Sequence, residues 1–248
     1  MSSNELVEGE CDFSYPGVGK PLKTWYRVRG ELRSGARPLV ALHGGPGAAH
    51  NYIQSVADLS TRYGIPVVLY DQVGCGKSTH LPDKKGDTSF WTADLFLDEL
   101  RNLLQHLGIQ DDYDLYGQSW GGMLAAEYAI RQPKGLHKVI IANSPSDMRT
   151  FVEEANRLRL ELPQEVQDAL NKHEKDGTTD SEAYEAAVME FYARHLCRID
   201  PMPQDMLDTL ENIKRDPTVY HTMFVPSQSL ACRTTTDHHP GMVRQSST

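Results

Sequence analysis

Cysteine is scarce in this 248-residue chain, and the four present do not pair in sequence. Cys11, Cys75, Cys197 and Cys232 are scattered, with no C-x-x-C. That argues against the usual zinc and dithiol spacings and suits a reducing compartment. Long apolar runs are missing as well. No stretch could span a bilayer, and the acidic residues 1–10 contain no apolar core of a signal peptide. The expectation is a cytoplasmic protein with no membrane partner. Excess basic charge is also lacking. Lys and Arg number 25 against 34 Asp and Glu, a net charge of −9. This argues against nucleic acid as a partner and leans toward a cationic small substrate.

Two suggestive fragments lack a residue they would need. Gly76-Lys77-Ser78 resembles the end of a phosphate-binding loop, but the glycine required at position 71 is Asp71. Asp237 with His238 and His239 resembles a metal cluster, yet adjacent histidines in a polar tail seldom bind anything. His50, His80, His106, His137, His173 and His221 show no metal spacing. No cofactor and no metal is therefore expected, and no residue pattern bears on oligomeric state.

What is present is an ordinary globular composition, 39% hydrophobic and 24% charged. It suits one domain carrying an inserted subdomain. Residues 8–29 read as two strands around a Gly/Pro turn. The apolar runs 38–42 and 66–70 read as strands covered on both faces. Residues 52–63 have helical spacing, and 89–107 form the clearest amphipathic helix, closed by Gly108. A short strand over 112–116, a helix over 123–130 and a strand over 137–142 follow. Strand and helix alternate, which predicts an α/β fold with a mostly parallel sheet over residues 1–145. From 146 to 220 four helical patterns replace the alternation, and these read as a helical lid over the strand ends. Residues 221–248 read as an atypical tail without a fixed structure.

Chemistry is concentrated in Gly117-Gln118-Ser119-Trp120-Gly121, which fits G-x-S-x-G between a strand and a helix. In that context the pattern is a nucleophile elbow: flanking glycines permit a turn too tight for side chains, and the serine hydroxyl is lifted clear of the sheet. Ser119 is the nucleophile candidate. An acyl-transfer site also needs donors for the developing oxyanion. The backbone N–H of Trp120 is one. The loop His43-Gly44-Gly45-Pro46-Gly47, leaving an early strand, offers others at Gly44 and Gly45.

These two motifs, together with Asp71-Gln-Val-Gly-Cys-Gly-Lys-Ser78 and the helical segment bearing His195-Leu-Cys-Arg198, resemble the proline iminopeptidase family of α/β-hydrolases over residues 10–223. The resemblance implies a serine hydrolase that releases an N-terminal residue, typically proline, from a small peptide or amide by way of an acyl-enzyme. It implies Ser119 as nucleophile and Gly45 and Trp120 as oxyanion donors. An ester or amide hydrolase acting on a small metabolite, or a form that only binds, are the alternatives.

The chain departs from that family at its end. The triad acid and histidine are expected after the lid, each following a further strand, and residues 224–248 contain neither pattern. Family members continue after a lid ending like Tyr220-His-Thr-Met223 with Asn-Gly-Pro-Ser-Glu-Phe. Codons compatible with 242–248, read one nucleotide out of frame, spell that same continuation. The expectation is a C-terminally truncated member, with 224–240 resembling a translated intron. A spliced transcript encoding this tail unchanged, with no longer product, defeats that expectation.

Overall fold

Two four-residue strands, buried at every position, occupy the middle of the sheet: β3 (Leu39–Leu42) and β4 (Val67–Tyr70). The computed structural model describes residues 6–224. Around this pair stand β1 (Leu6–Phe13), β2 (Leu22–Arg29), β5 (Tyr113–Gln118) and β6 (Leu136–Ala142), in the order β1-β2-β4-β3-β5-β6. The first two form an antiparallel hairpin, and β2 runs antiparallel to β4. The β3–β4, β3–β5 and β5–β6 pairs are parallel. The α/β expectation holds, with an antiparallel edge.

Side chains alternating across the pleat divide the core between two faces. Val40, Leu42, Val68 and Tyr70 join the cluster under α2 (Ala93–Leu107) and α3 (Trp120–Ile130). Leu39, Ala41, Val67 and Leu69 meet Ile53 and Ala57 on the other face. Covering both faces is what the unbroken apolar runs require. On the second face, the helical run read at 52–63 divides into a 3-10 segment, Asn51–Ala57, and a short α1, Asp58–Tyr63. Helix α2 begins four residues later than its apolar pattern. Thr92 is its N-cap and accepts from the Leu95 N–H at 3.4 Å, so Ser89, Phe90 and Trp91 belong to the preceding turn. Gly108 closes it in the left-handed region at φ 67°.

Strand β6 is an edge among the described residues. Ile140 and Ile141 on it are 50% and 53% exposed. An apolar, unpaired edge of this kind is an association hazard.

Helices α4 (Met148–Arg159), α5 (Gln164–Asp176), α6 (Glu182–His195), α7 (Gln204–Arg215) and α8 (Thr218–Met223) follow. Part of this segment has its own small core of Leu162, Leu170, Ala187 and Phe191. Beside it lies a buried ion pair, in which the Arg159 guanidinium donates to both Glu174 oxygens at 2.9 Å. The segment is fastened to the sheet side at several points. Gln54 bonds Asp205, and the Asn212 amide donates to Asn51 Oδ1 at 3.0 Å. His80 pairs with Asp216. Val219 on α8 is 1% exposed and packs against the glycine positions 47 and 74. Helix α8 carries regular structure past residue 220, into the region read as tail. The remaining tail, 225–248, with Cys232, Asp237, His238 and His239, lies outside the described residues.

Candidate active site

Ser119 stands between the last residue of β5 and the first of α3, at φ 54° and ψ −122°. Positive φ is costly for a residue with a Cβ and persists only where the surroundings impose it. Here they do. A Cβ on Gly117 would come within 2.2 Å of the Gly121 carbonyl oxygen, and one on Gly121 within 2.1 Å of the Leu42 oxygen. Both obstacles are backbone, so the two flanking glycines are a steric requirement of this turn. The serine's own peptide groups are held as well: its N–H donates to the Ala142 oxygen at 3.0 Å, and its oxygen accepts from the Ser144 hydroxyl at 2.8 Å.

The loop after β3 faces this serine. A Cβ on Gly44 would meet the Tyr52 hydroxyl at 2.7 Å, Gln118 Oε1 at 2.9 Å and Ser119 Cβ at 3.0 Å. The sequence placed Gly44, Gly45 and Trp120 together as donors, and the structure separates them. Gly44 N–H donates to the Tyr52 hydroxyl at 2.7 Å, so it is engaged within the fold. The N–H groups of Gly45 and Trp120 have no acceptor among the described residues. Gly45 takes φ 112°, a conformation open to glycine alone at little cost.

Three loops are tied into one unit behind the serine. The Gln72 N–H donates to His43 Nε2 at 3.0 Å, which leaves the ring proton on Nδ1, where it is donated to the Gly44 oxygen at 2.9 Å. The Gln72 side chain donates to the His43 oxygen at 3.3 Å and accepts from the Trp120 indole N–H at 3.0 Å. His43 is fully buried, and burial holds its pKa below the ordinary value; it stays neutral. Asp71, also buried, accepts from the His50 N–H, from His50 Nδ1 and from the Lys77 N–H at 2.8–2.9 Å. Burial alone would raise its pKa, but the bonds from His50 and the Lys77 N–H outweigh that and keep it low.

Glu99 of α2 lies under this unit with no exposure. It accepts from the Thr24 hydroxyl at 2.6 Å and from the Val73 N–H at 2.9 Å, and it has no ion pair among the described residues. Burial pushes its pKa up to about 8 against the pull of those donors. Sequence patterns alone assign no role to Glu99, Tyr52, Gln72 or Gln118. The one signal was the position of Glu99, three residues beyond Phe96 on the apolar side of α2.

No histidine bonds the Ser119 hydroxyl among the described residues. Both nitrogens of His43 are engaged. The His50–Asp71 pair has the form of a base and its orienter, but the His50 ring packs on Trp25 at 4.4 Å between centroids and makes no bond to Ser119. No group of three or more metal-ligating side chains occurs among the described residues, and none of their helices is long and apolar enough to cross a membrane.

Comparison with known proteins agrees with this geometry. A family model described as the alpha/beta hydrolase fold matches residues 37–241. A proline iminopeptidase of Clostridium botulinum is 42% identical over 174 residues, which is 70% of this chain and 57% of that protein. The crystal structure of a proline iminopeptidase of Mycobacterium smegmatis superposes with a TM-score of 0.74 at 46% identity, covering 87% of this chain and 70% of that one. The crystal structure of VinJ does so with a TM-score of 0.80 at 50% identity, with the same coverage. The chain spans about three fifths of the length of the first curated relatives it matches. A positive-φ serine turn between strand and helix on a mostly parallel sheet, together with identities of this size, places the chain in the α/β-hydrolase fold, as a member of the proline iminopeptidase family.

Proposed function

We propose that the site performs acyl transfer on a small peptide or amide bearing a free N-terminal amine, typically that of proline, with Ser119 as nucleophile. The observation that carries this reading is the strained Ser119 turn facing a glycine loop whose Gly45 N–H is unengaged. Ser119 Oγ attacks the carbonyl carbon, and the carbonyl oxygen becomes an oxyanion between the Gly45 and Trp120 N–H groups. The amine then leaves with a proton, and water releases the acyl group from the serine. One such donor is worth about 10²–10³ in turnover. Gly44 is not a donor in this proposal, because its N–H is bound to Tyr52. Attack by the serine requires a base to take its proton, and that base is not among the described residues. Helices α4 to α8 act as the lid, with α8 resting on the two site loops at Gly47 and Gly74.

A fluorophosphonate probe tests the nucleophile. Folded protein is expected to be modified at Ser119, as read by peptide mass spectrometry, and Ser119→Ala to remain unmodified at the same unfolding midpoint. Unmodified Ser119 in folded protein, or equal labelling of the alanine variant, removes the proposal.

Charge supports an amine-bearing substrate. Between residues 147 and 216 there are 17 Asp and Glu against nine Lys and Arg, so −8 of the chain's −9 lies in the helical segment. A field of one sign over the entrance draws cations toward it and is screened by salt. The labelling rate of an amine-bearing probe is expected to fall several-fold as the Debye length shrinks from about 30 Å to about 8 Å, while that of its N-acetyl analogue changes little. Equal salt dependence for the two probes counts against the cationic substrate.

A further inference from the structure

We propose that Tyr52 is a positioning residue for the oxyanion site: its hydroxyl engages the Gly44 N–H and, through Gln118, fastens the glycine loop to the serine turn, so that Gly45 and Trp120 alone meet the developing charge. The inference rests on the reading of Ser119 as nucleophile.

Two successive peptide planes carry the argument. The first joins His43 to Gly44. Its oxygen accepts from the Gln72 side chain at 3.3 Å, and its N–H donates to the Tyr52 hydroxyl at 2.7 Å. The second joins Gly44 to Gly45. Its oxygen accepts from His43 Nδ1 at 2.9 Å and from the Ala48 N–H at 3.2 Å. A trans peptide directs its N–H opposite to its C=O. Holding the Gly44 oxygen from one side therefore aims the Gly45 N–H to the other, where it has no acceptor. Tyr52 holds the Gly44 N–H, so that of the four ends of this two-plane clamp only the Gly45 N–H is left without an acceptor among the described residues.

Tyr52 also reaches the elbow. Its proton is donated to Gln118 Oε1, on the residue directly before Ser119. One hydroxyl thus accepts from the loop and donates to the turn. The three atoms nearest a virtual Cβ on Gly44 belong to Tyr52, Gln118 and Ser119, so all four residues converge at one point. Burial pushes the Tyr52 phenol well above its ordinary pKa, against a weaker downward pull from the Gly44 N–H. It therefore keeps its proton, and with it both bonds, around neutral pH.

Tyr52→Phe removes both bonds and retains the ring; Gln118→Met removes only the acceptor. Three measurements apply: amide hydrogen exchange at Gly44, the rate of Ser119 phosphonylation by a fluorophosphonate, and affinity for two small ligands. One ligand is a boronic acid, which adds to serine as a tetrahedral anion; the other is an unreactive amide of the same shape. Tyr52→Phe is expected to speed Gly44 exchange at least about tenfold, and to slow phosphonylation and weaken boronate binding by about ten- to a hundredfold. Amide affinity should stay within about twofold, since only the charged adduct uses the donors. Gln118→Met should shift the same quantities less. The double variant should match Tyr52→Phe, because both changes interrupt one chain of bonds. Unchanged Gly44 exchange in Tyr52→Phe overturns the Tyr52 assignment by itself. Faster exchange with unaltered phosphonylation and boronate affinity overturns the positioning role. Equal loss for boronate and amide does so too, since it marks a merely structural effect. Unlabelled wild-type Ser119 overturns the nucleophile reading and, with it, anything Tyr52 could position.

Discussion

Gly121→Ala is expected to remove most of the stability of this protein, although it adds a single methyl group. The added carbon would lie 2.1 Å from the Leu42 oxygen and 2.6 Å from the His43 oxygen. Neither atom sits at the end of a flexible side chain that could swing away. Relief requires α3 to withdraw from the end of β3, which would open the contact between the elbow and the glycine loop. Substitutions costing more than about 4 kcal/mol are rare and come from such unrelievable conflicts, against a total stability of about 5–15 kcal/mol. Gly108→Ala is the comparison. Gly108 has φ 67° but nothing within 4 Å of its virtual Cβ, so only the backbone penalty applies, about 1 kcal/mol. Urea unfolding of the two variants beside the parent should show little or no folded Gly121→Ala and a modest shift for Gly108→Ala. Similar midpoints for the two variants would mean that the turn is looser than described.

The second large effect is a pH dependence that belongs to Glu99. Its pKa in the fold is raised to about 8, from an ordinary value of 4.5. The folded protein therefore holds a proton that the unfolded chain releases between those values. Below pH 4.5 both states are protonated and Glu99 contributes no slope. As pH rises from 4.5 to 8, folding requires proton uptake, and stability falls by about 1.4 kcal/mol for each pH unit. Above 8 the loss is complete and the slope from this group ends. Glu99→Gln keeps an oxygen for the Thr24 hydroxyl and the Val73 N–H but cannot ionise. The gap between variant and parent should thus widen steadily from pH 5 to pH 8 in urea midpoints. His43, whose pKa is held low by burial, is present in both proteins and cancels in that comparison. The low pKa of Asp71 acts only below the window. Parallel curves across pH 5–8 would show that Glu99 is ionised in the fold and balanced by its donors.

Both expectations depend on how local patterns meet in space. The alternation of strands and helices, the doubly covered β3 and β4, the glycines at 117 and 121 and the left-handed cap at Gly108 are all local consequences of residue type, and each could be read in order along the chain. Helix α2 was legible in its apolar face but not at its start, because Thr92 as a cap competes with the apolar Phe90 for the boundary. Tyr52 was not legible as a site residue. It lies in a segment whose apolar neighbours Ile53 and Ala57 account for its spacing, and nothing local shows that its hydroxyl meets residues 44 and 118. Glu99 was hidden for a similar reason: a single acid on an amphipathic helix reads as solvated until the loop carrying Val73 covers it.

The chain by itself determined that a serine would be forced into a cramped turn at the carboxyl end of a strand, since only glycine on both sides permits that backbone and the adjoining apolar runs must form a sheet. Tertiary structure alone decided which N–H groups near that serine are left unengaged. A hydrogen-bond donor is available only if nothing folded against it accepts first, and the acceptor that occupies Gly44 is eight residues away along the chain, on a separate element packed across the loop.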